Sequence, residues 1–303
     1  MQLDKTLIAI RERGLLETMD LALQVVRHHL AALVITFALG AIPMMFVNQA
    51  LLGWLRQADY REGWLYDDEA GAVMRYLWDM TLLIIIEAPL ASIFATAYLG
   101  KIVFVERPRI GDVFRDVVRL LPRVLWCQLV QRGILAAWLL LLTVDRYGEF
   151  NFGVEFFLLG TLTAYSLILR GFRPYINEII LLERNPLRSK RPDVITAGTR
   201  SSQLHGPSSG ELLGRAMGGA WFAGWLTHAV IGLFLFLSGV FLNQWEPGGL
   251  MITHLIPLCM WMVAGYCTVV RFLSYLDLRI RQEGWEVELR LRAEASRLAG
   301  QKT

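Results

Sequence analysis

Leu30–Leu55 reads LAALVITFALGAIPMMFVNQALLGWL, 26 residues without one charged side chain. A helix needs roughly 20 apolar residues to cross a hydrocarbon core of ~30 Å. This stretch is long enough to do so and too apolar to lie on a soluble surface. Ala216 to Trp245 and Pro247 to Val270 are uncharged in the same way. Leu77 to Val105 is interrupted only by Asp79, Glu87 and Lys101, Val124 to Val144 only by Arg132, and Phe150 to Leu169 only by Glu155. The expected spans are therefore 29–52, 77–105, 124–144, 150–169, 216–245 and 247–270. The fold class that follows is all-α: a polytopic membrane protein of six transmembrane helices.

Composition agrees. Of 303 residues, 55% are hydrophobic and 19% charged, where a soluble chain carries about a quarter charged. Ten Trp, nine Tyr and fifteen Phe exceed the needs of one core and suit rings at a membrane interface. A soluble, disordered, collagenous or disulfide-rich chain is excluded.

Charge placement orients the spans. Of the 30 Lys and Arg, 24 fall in the two tails and the connections 2–3 and 4–5. The opposite connections hold Arg56, Arg61, Arg75 and Arg146 among a larger number of acids. That asymmetry is the positive-inside pattern and places both termini in the cytoplasm. The net charge of +3 then reports topology, not nucleic-acid binding, and the basic face suits anionic lipid head groups.

Residues 1–28 mix charge with apolar positions at helical spacing, and no short apolar core precedes a cleavage site. They read as an amphipathic cytoplasmic helix lying in the interface, leading into a membrane domain over 29–275. Gly14, Gly111 and Gly210 open comparable approaches to spans 1, 3 and 5 at near-equal spacing, with Leu16, Val113 or Leu212 two residues on. Three helical hairpins, each led in by a cytoplasmic interfacial helix, account for this; ordinary juxtamembrane helices are the simpler account. The cytoplasmic loop 170–215 begins with a short amphipathic run, Tyr175 to Leu182, then turns polar and rich in Pro, Gly and Ser, as a linker or docking loop does. In the tail, 276–303, strict alternation allows two strands turned at Gly284. The i,i+4 pairs Glu286–Arg290 and Glu288–Arg292 favour a helix stopping near Gly284 and restarting.

Two motifs carry a resemblance. Arg173-Pro-Tyr-Ile-Asn-Glu-Ile-Ile-Leu-Leu-Glu-Arg-Asn-Pro186 follows span 4, and Tyr275-Leu-Asp-Leu-Arg-Ile-Arg-Gln-Glu-Gly-Trp-Glu-Val-Glu-Leu289 follows span 6. Together they resemble a bacterial group of six-span proteins related to the membrane domain fused to some glycerophosphodiester phosphodiesterases. The resemblance implies an all-helical membrane domain. The phosphodiesterase is a separate soluble barrel for which this sequence has no counterpart, so no catalytic residue carries over.

Polar groups inside spans are the candidates for chemistry, since a charge at mid-bilayer costs at least ~2.5–3.5 kcal/mol. Asp79 reads as a solvated cap and Lys101 as a snorkelling side chain. Glu87 precedes Ala88-Pro89, and Pro89 frees the carbonyl of Ile85, so a local polar pocket is expected there. Glu87 and Arg132 form the candidate intramembrane polar pair; the alternative has Arg132 snorkelling and Glu87 protonated. Gly210, Gly214, Gly218 and Gly224 form a small-residue packing face, expected to pack against span 1 or 6 in preference to a second subunit. His228, His254, Cys127, Cys259 and Cys267 lack metal-ligand spacing, so neither metal nor cofactor is expected. Gly206-Pro-Ser-Ser-Gly210 satisfies G-x-S-x-G, with His205 adjacent, but no strand precedes it.

The functional expectation is a non-catalytic membrane component or anchor of an envelope multi-protein system, docking protein partners on loop 170–215 and tail 276–303. The alternative is an oligomeric transporter or permease for a small solute or lipid, using Glu87 and Arg132.

Overall fold

The computed structural model describes residues 13–56, 69–103, 108–147, 152–191, 194–245 and 247–283. Residues 1–12 of the amphipathic segment and the Glu286–Arg290 and Glu288–Arg292 pairs of the tail lie outside them. The described residues are helical, without a strand among them, and the chain is an all-α polytopic membrane protein. Four helices are long and apolar enough to cross a bilayer, and two bent pairs bring the number to six if each counts as one span.

Helix α1 (Leu15–His28) starts where Gly14 turns from extended backbone, and Thr18 Oγ1 donates to the Gly14 carbonyl at 2.9 Å. It ends at His29, and α2 (Leu30–Leu52) runs on as the first span. The second span is α3 (Glu69–Ala91) and α4 (Ile93–Ile102), bent by 42° at Ser92. Pro89 stands just before the bend, where its missing N–H and its ring disrupt the helical ladder in the preceding turn.

The third span differs from the single helix expected over 124–144. Amphipathic α5 (Ile110–Leu125) passes into a π-turn, Trp126–Gln131. The chain then breaks at Arg132 and Gly133 before α6 (Ile134–Tyr147), with a 58° bend. Gly133 has φ +82°, a conformation L side chains rarely adopt, which sets the corner.

Helix α7 (Phe152–Phe172) is the fourth span. Helix α8 (Ile176–Glu178) and a π-turn, Ile179–Glu183, follow, then α9 (Ala197–His205), N-capped by Thr196 through the Thr199 N–H. Helix α10 (Ser209–Leu242) ends at Asn243 with φ 53°. A π-turn, Met251–Leu255, leads into α11 (Ile256–Glu283). Helices α9 and α10 together run 46 residues. That is more than twice what a bilayer needs, and the uncharged part begins at Ala216, so α9 lies outside the span.

The hairpins form as expected: α2 packs on α3 and α4, α6 on α7, and α10 on α11. Helix α1 also lies along α11. The lead-in positions are not equivalent, because Leu16 is exposed while Val113 and Leu212 are buried. One end of the bundle gathers α1, the start of α5, the 173–206 segment and the end of α11; we refer to it as the basic end. There Asp277 accepts from the Arg13 N–H at 2.8 Å and Lys101 meets Asp116 at 2.9 Å. Lys101 therefore pairs with a carboxylate where snorkelling was expected.

The loop 170–215 corrects the linker reading. Tyr175 and Asn177–Leu181 are buried beneath α4 and α5, and α9 covers them. Helix α11 continues to Glu283, so 276–283 belongs to the bundle and not to a free tail.

The packing face on α10 also differs from expectation. A Cβ on Gly210, Gly214 or Gly224 would meet nothing within 4 Å, and only Gly218 approaches another residue, Leu15 at 3.3 Å. Trp221, Trp225, Phe236 and Phe241 are exposed as well, so this flank of α10 is left uncovered by the described residues. The close crossing lies elsewhere: a Cβ on Gly40 of α2 would stand 2.0 Å from the Ala91 carbonyl oxygen. Gly40→Ala is expected to cost about 1–3 kcal/mol through overpacking. Thermal unfolding in detergent should show a lowered midpoint, whereas Gly210→Ala should leave it unchanged.

Candidate functional site

The kink in the second span exposes backbone carbonyls inside the bundle, where water is scarce and an unmet carbonyl is costly. A polar cluster lies beside Pro89, and most of its donors come from other helices. Arg170 of α7 donates to the carbonyls of Ile85 and Ile86. Asn177 Nδ2 donates to the Pro89 carbonyl at 2.7 Å and Ser92 Oγ to the same oxygen at 2.9 Å. Asn177 Oδ1 in turn accepts from Gln128 Nε2 of the α5–α6 π-turn at 2.6 Å.

Arg271 of α11 closes the cluster. Its Nε donates to Glu178 Oε1 at 2.8 Å, and Nη2 to Ser92 Oγ at 3.0 Å and Thr96 Oγ1 at 3.2 Å. Pro257 repeats the pattern near the other end, since it frees the Thr253 carbonyl, to which the Tyr76 hydroxyl donates at 3.1 Å.

Glu87 and Arg132 are both buried but not joined. Trp138 Nε1 donates to Glu87 Oε1 at 2.6 Å, and Arg132 Nη2 donates to the Arg173 carbonyl at 2.6 Å. The break at Gly133 turns Arg132 toward the basic end, which separates the pair. Asp79 is not a solvated cap: it is buried and faces Glu155 of α7, which is bridged by Arg75. His228 bonds the Gly224 carbonyl of its own helix at 2.8 Å, and His254 bonds Thr253 at 2.6 Å, so the two are not brought together.

A second cluster covers the first at the basic end and joins the two motifs. Tyr275 hydroxyl donates to Glu183 Oε1 at 2.8 Å, and Arg200 Nε to Glu183 Oε2 at 2.6 Å. Arg200 reaches on to Glu283, which also pairs with Arg279 at 2.7 Å. Asp277 holds Arg215 at 3.0 Å, and Glu211 holds Arg281 at 3.0 Å. Arg184 enters the left-handed region at φ 60°, which turns the chain out of the π-turn toward Asp116.

His205 sits between these layers, stacked on Tyr175 at 5.5 Å between centroids. Its Nε2 accepts from the Tyr175 N–H at 3.3 Å, so Nδ1 carries the proton and donates to the Ser201 carbonyl at 2.7 Å. Both nitrogens are occupied, leaving Ser208 of G-x-S-x-G without a base from His205; Ser208 Oγ accepts from Gln282 at 3.3 Å.

Burial, above all, pushes His205 down to about 4; the Ser201 carbonyl opposes this, and Arg173 and Arg132 add to it. A histidine in the unfolded chain titrates near 6.5. The neutral ring therefore stabilises the fold fully above about pH 6.5, and that contribution is lost as pH falls toward 4. The thermal midpoint should drop across that window. His205→Gln should start lower at pH 8 and change less between pH 6.5 and 4.

Sequence reasoning missed Arg170, Asn177, Glu178 and Arg271 as partners of the kink, and Asn48 beside Glu87. Asn177 and Glu178 stand inside the first quoted motif, and Asn48 is the lone asparagine of an uncharged span. Those were the available signals. Arg271 and Glu178 give a direct check on the cluster. Arg271→Met should cost about 3–5 kcal/mol by leaving Glu178 buried and unpaired. Adding Glu178→Leu should recover most of it, read as a double-mutant cycle in a denaturation titration.

Compared with known proteins, the chain matches no family model, no curated protein and no solved structure.

Proposed function

We propose that this chain is a non-catalytic integral component of a multi-protein system in the bacterial inner membrane, multi-pass, with both termini in the cytoplasm. The ion-paired layer at the basic end supports this reading. Residues 173–186, α9 and 275–283 come from three separate parts of the sequence and are fastened to one another by Glu183, Arg200, Glu283 and Arg279. Such a layer holds a fixed shape while presenting Arg119, Arg184, Arg188 and Lys190 at its surface. The fixed shape suits a protein partner and the basic rim suits anionic lipid head groups. The permease reading would have Glu87 and Arg132 line a path together; Arg132 is engaged with a backbone carbonyl instead.

Deletion of 276–303 would remove Asp277, Arg279 and Glu283 and dismantle the layer, so a docking test has to start beyond Glu283. Affinity purification from native membranes should recover a stable partner with the full chain. Recovery should fall at least tenfold on removing 284–303 or on converting Arg184, Arg188 and Lys190 to Glu, and should be unchanged by Glu87→Gln. Recovery of no stable partner by the full chain would sink the proposal. Flux of a solute lost with Glu87→Gln would favour the permease.

A further inference from the structure

Glu87 lies on α3 within the bundle and is fully buried, as is Asn48 of α2. Among the described residues Asn48 closes no hydrogen bond with either side-chain atom, yet its amide faces the Glu87 carboxyl. Glu87 Oε1 takes the indole N–H of Trp138 from α6, while Oε2 has no donor among the described residues. Three helices thus converge on one carboxyl whose second oxygen, and the amide opposite it, are both unmet.

The charges around it do not help a carboxylate. Helix α2 carries no titratable side chain between Leu30 and Leu52, and Trp138 is the group that α6 supplies. From α7, Arg170 is engaged with the Ile85 and Ile86 carbonyls, and Glu155 is bridged to Arg75. On α3 itself Asp79 stands eight residues away, roughly 12 Å along the axis. Lys101 of α4 pairs with Asp116, and the first charged residue of α11, Arg271, pairs with Glu178. No charged group among the described residues bears on Glu87.

An isolated carboxylate there would carry the full cost of a mid-bilayer charge with one donor to offset it. A proton on Oε2 removes the charge. It also turns Oε2 into a donor for Asn48 Oδ1, so that one proton satisfies two unmet oxygens. A metal cation would need several oxygens, and the site offers two.

We propose that Glu87, with Asn48 and Trp138, is a proton-binding site inside the bundle, filled from the aqueous end marked by Glu155. Toward that end lie Asp79 and Glu155, a pair of facing carboxyls with Arg75 beside them. These two carboxyls lie between Glu87 and that end of the bundle, and they are the groups through which a proton would pass to reach it. Binding forms one O–H bond at Oε2 and breaks one O–H bond in hydronium; no electron moves.

Infrared spectroscopy of the full chain in phosphatidylcholine vesicles at neutral pH tests this. A protonated-carboxyl C=O band is expected, absent in Glu87→Gln and displaced in Asn48→Leu and Trp138→Phe, which keep the carboxyl if Glu87→Gln does not fold. Transfer to D2O should displace the same band within minutes. A spectrum that is identical in Glu87→Gln, or that ignores both Asn48→Leu and Trp138→Phe, would overturn the assignment. A band indifferent to D2O over a day would show a sealed structural proton and overturn the filling from water. Partner recovery is expected to survive Glu87→Gln, so failure here leaves the docking layer untouched.

Discussion

A proline inside a membrane helix leaves a carbonyl without its helical donor, and within the bundle little water is available to replace it. The rest of this structure is arranged around that constraint at Pro89. The arginine of α7, the asparagine that follows it and the serine of the kink all point their donors at the freed oxygens. Arg271 then ties the serine to Glu178, which fixes the turn after α7 under α4. The same requirement at Pro257 is met by a single tyrosine.

Seen this way, the second layer is a consequence of the first. Burying 175–181 against the kink carries Glu183 to a place where α9 and α11 reach it. Tyr275, Arg200 and Arg279 gather on its carboxylate. A breach here costs more than a surface ion pair would, because each carboxylate serves several partners and loses all of them together.

The spans were legible because apolar runs of this length have one stable use, and the Ile85 carbonyl was legible because proline chemistry is local. The identity of its donor was not, since Arg170 lies 85 residues further along the chain and looks in sequence like one more basic flank. For the same reason Glu87 and Arg132 seemed natural partners until Gly133 turned one of them away. The loop 170–215 was misread for its Pro, Gly and Ser content, although its one apolar run, Tyr175–Leu182, already held the residues that bury it. The openness of Gly210, Gly214 and Gly224 depends on which side of α10 its neighbours occupy, and a single helix cannot report that.

Gly40 presses against the Ala91 carbonyl one residue before the kink at Ser92. Two helices touching backbone to backbone at one point cannot slide past each other there, but either can tilt. The crossing therefore pins α2 to the second span at a single level, with α3 and its buried carboxyls on one side of it and α4 on the other.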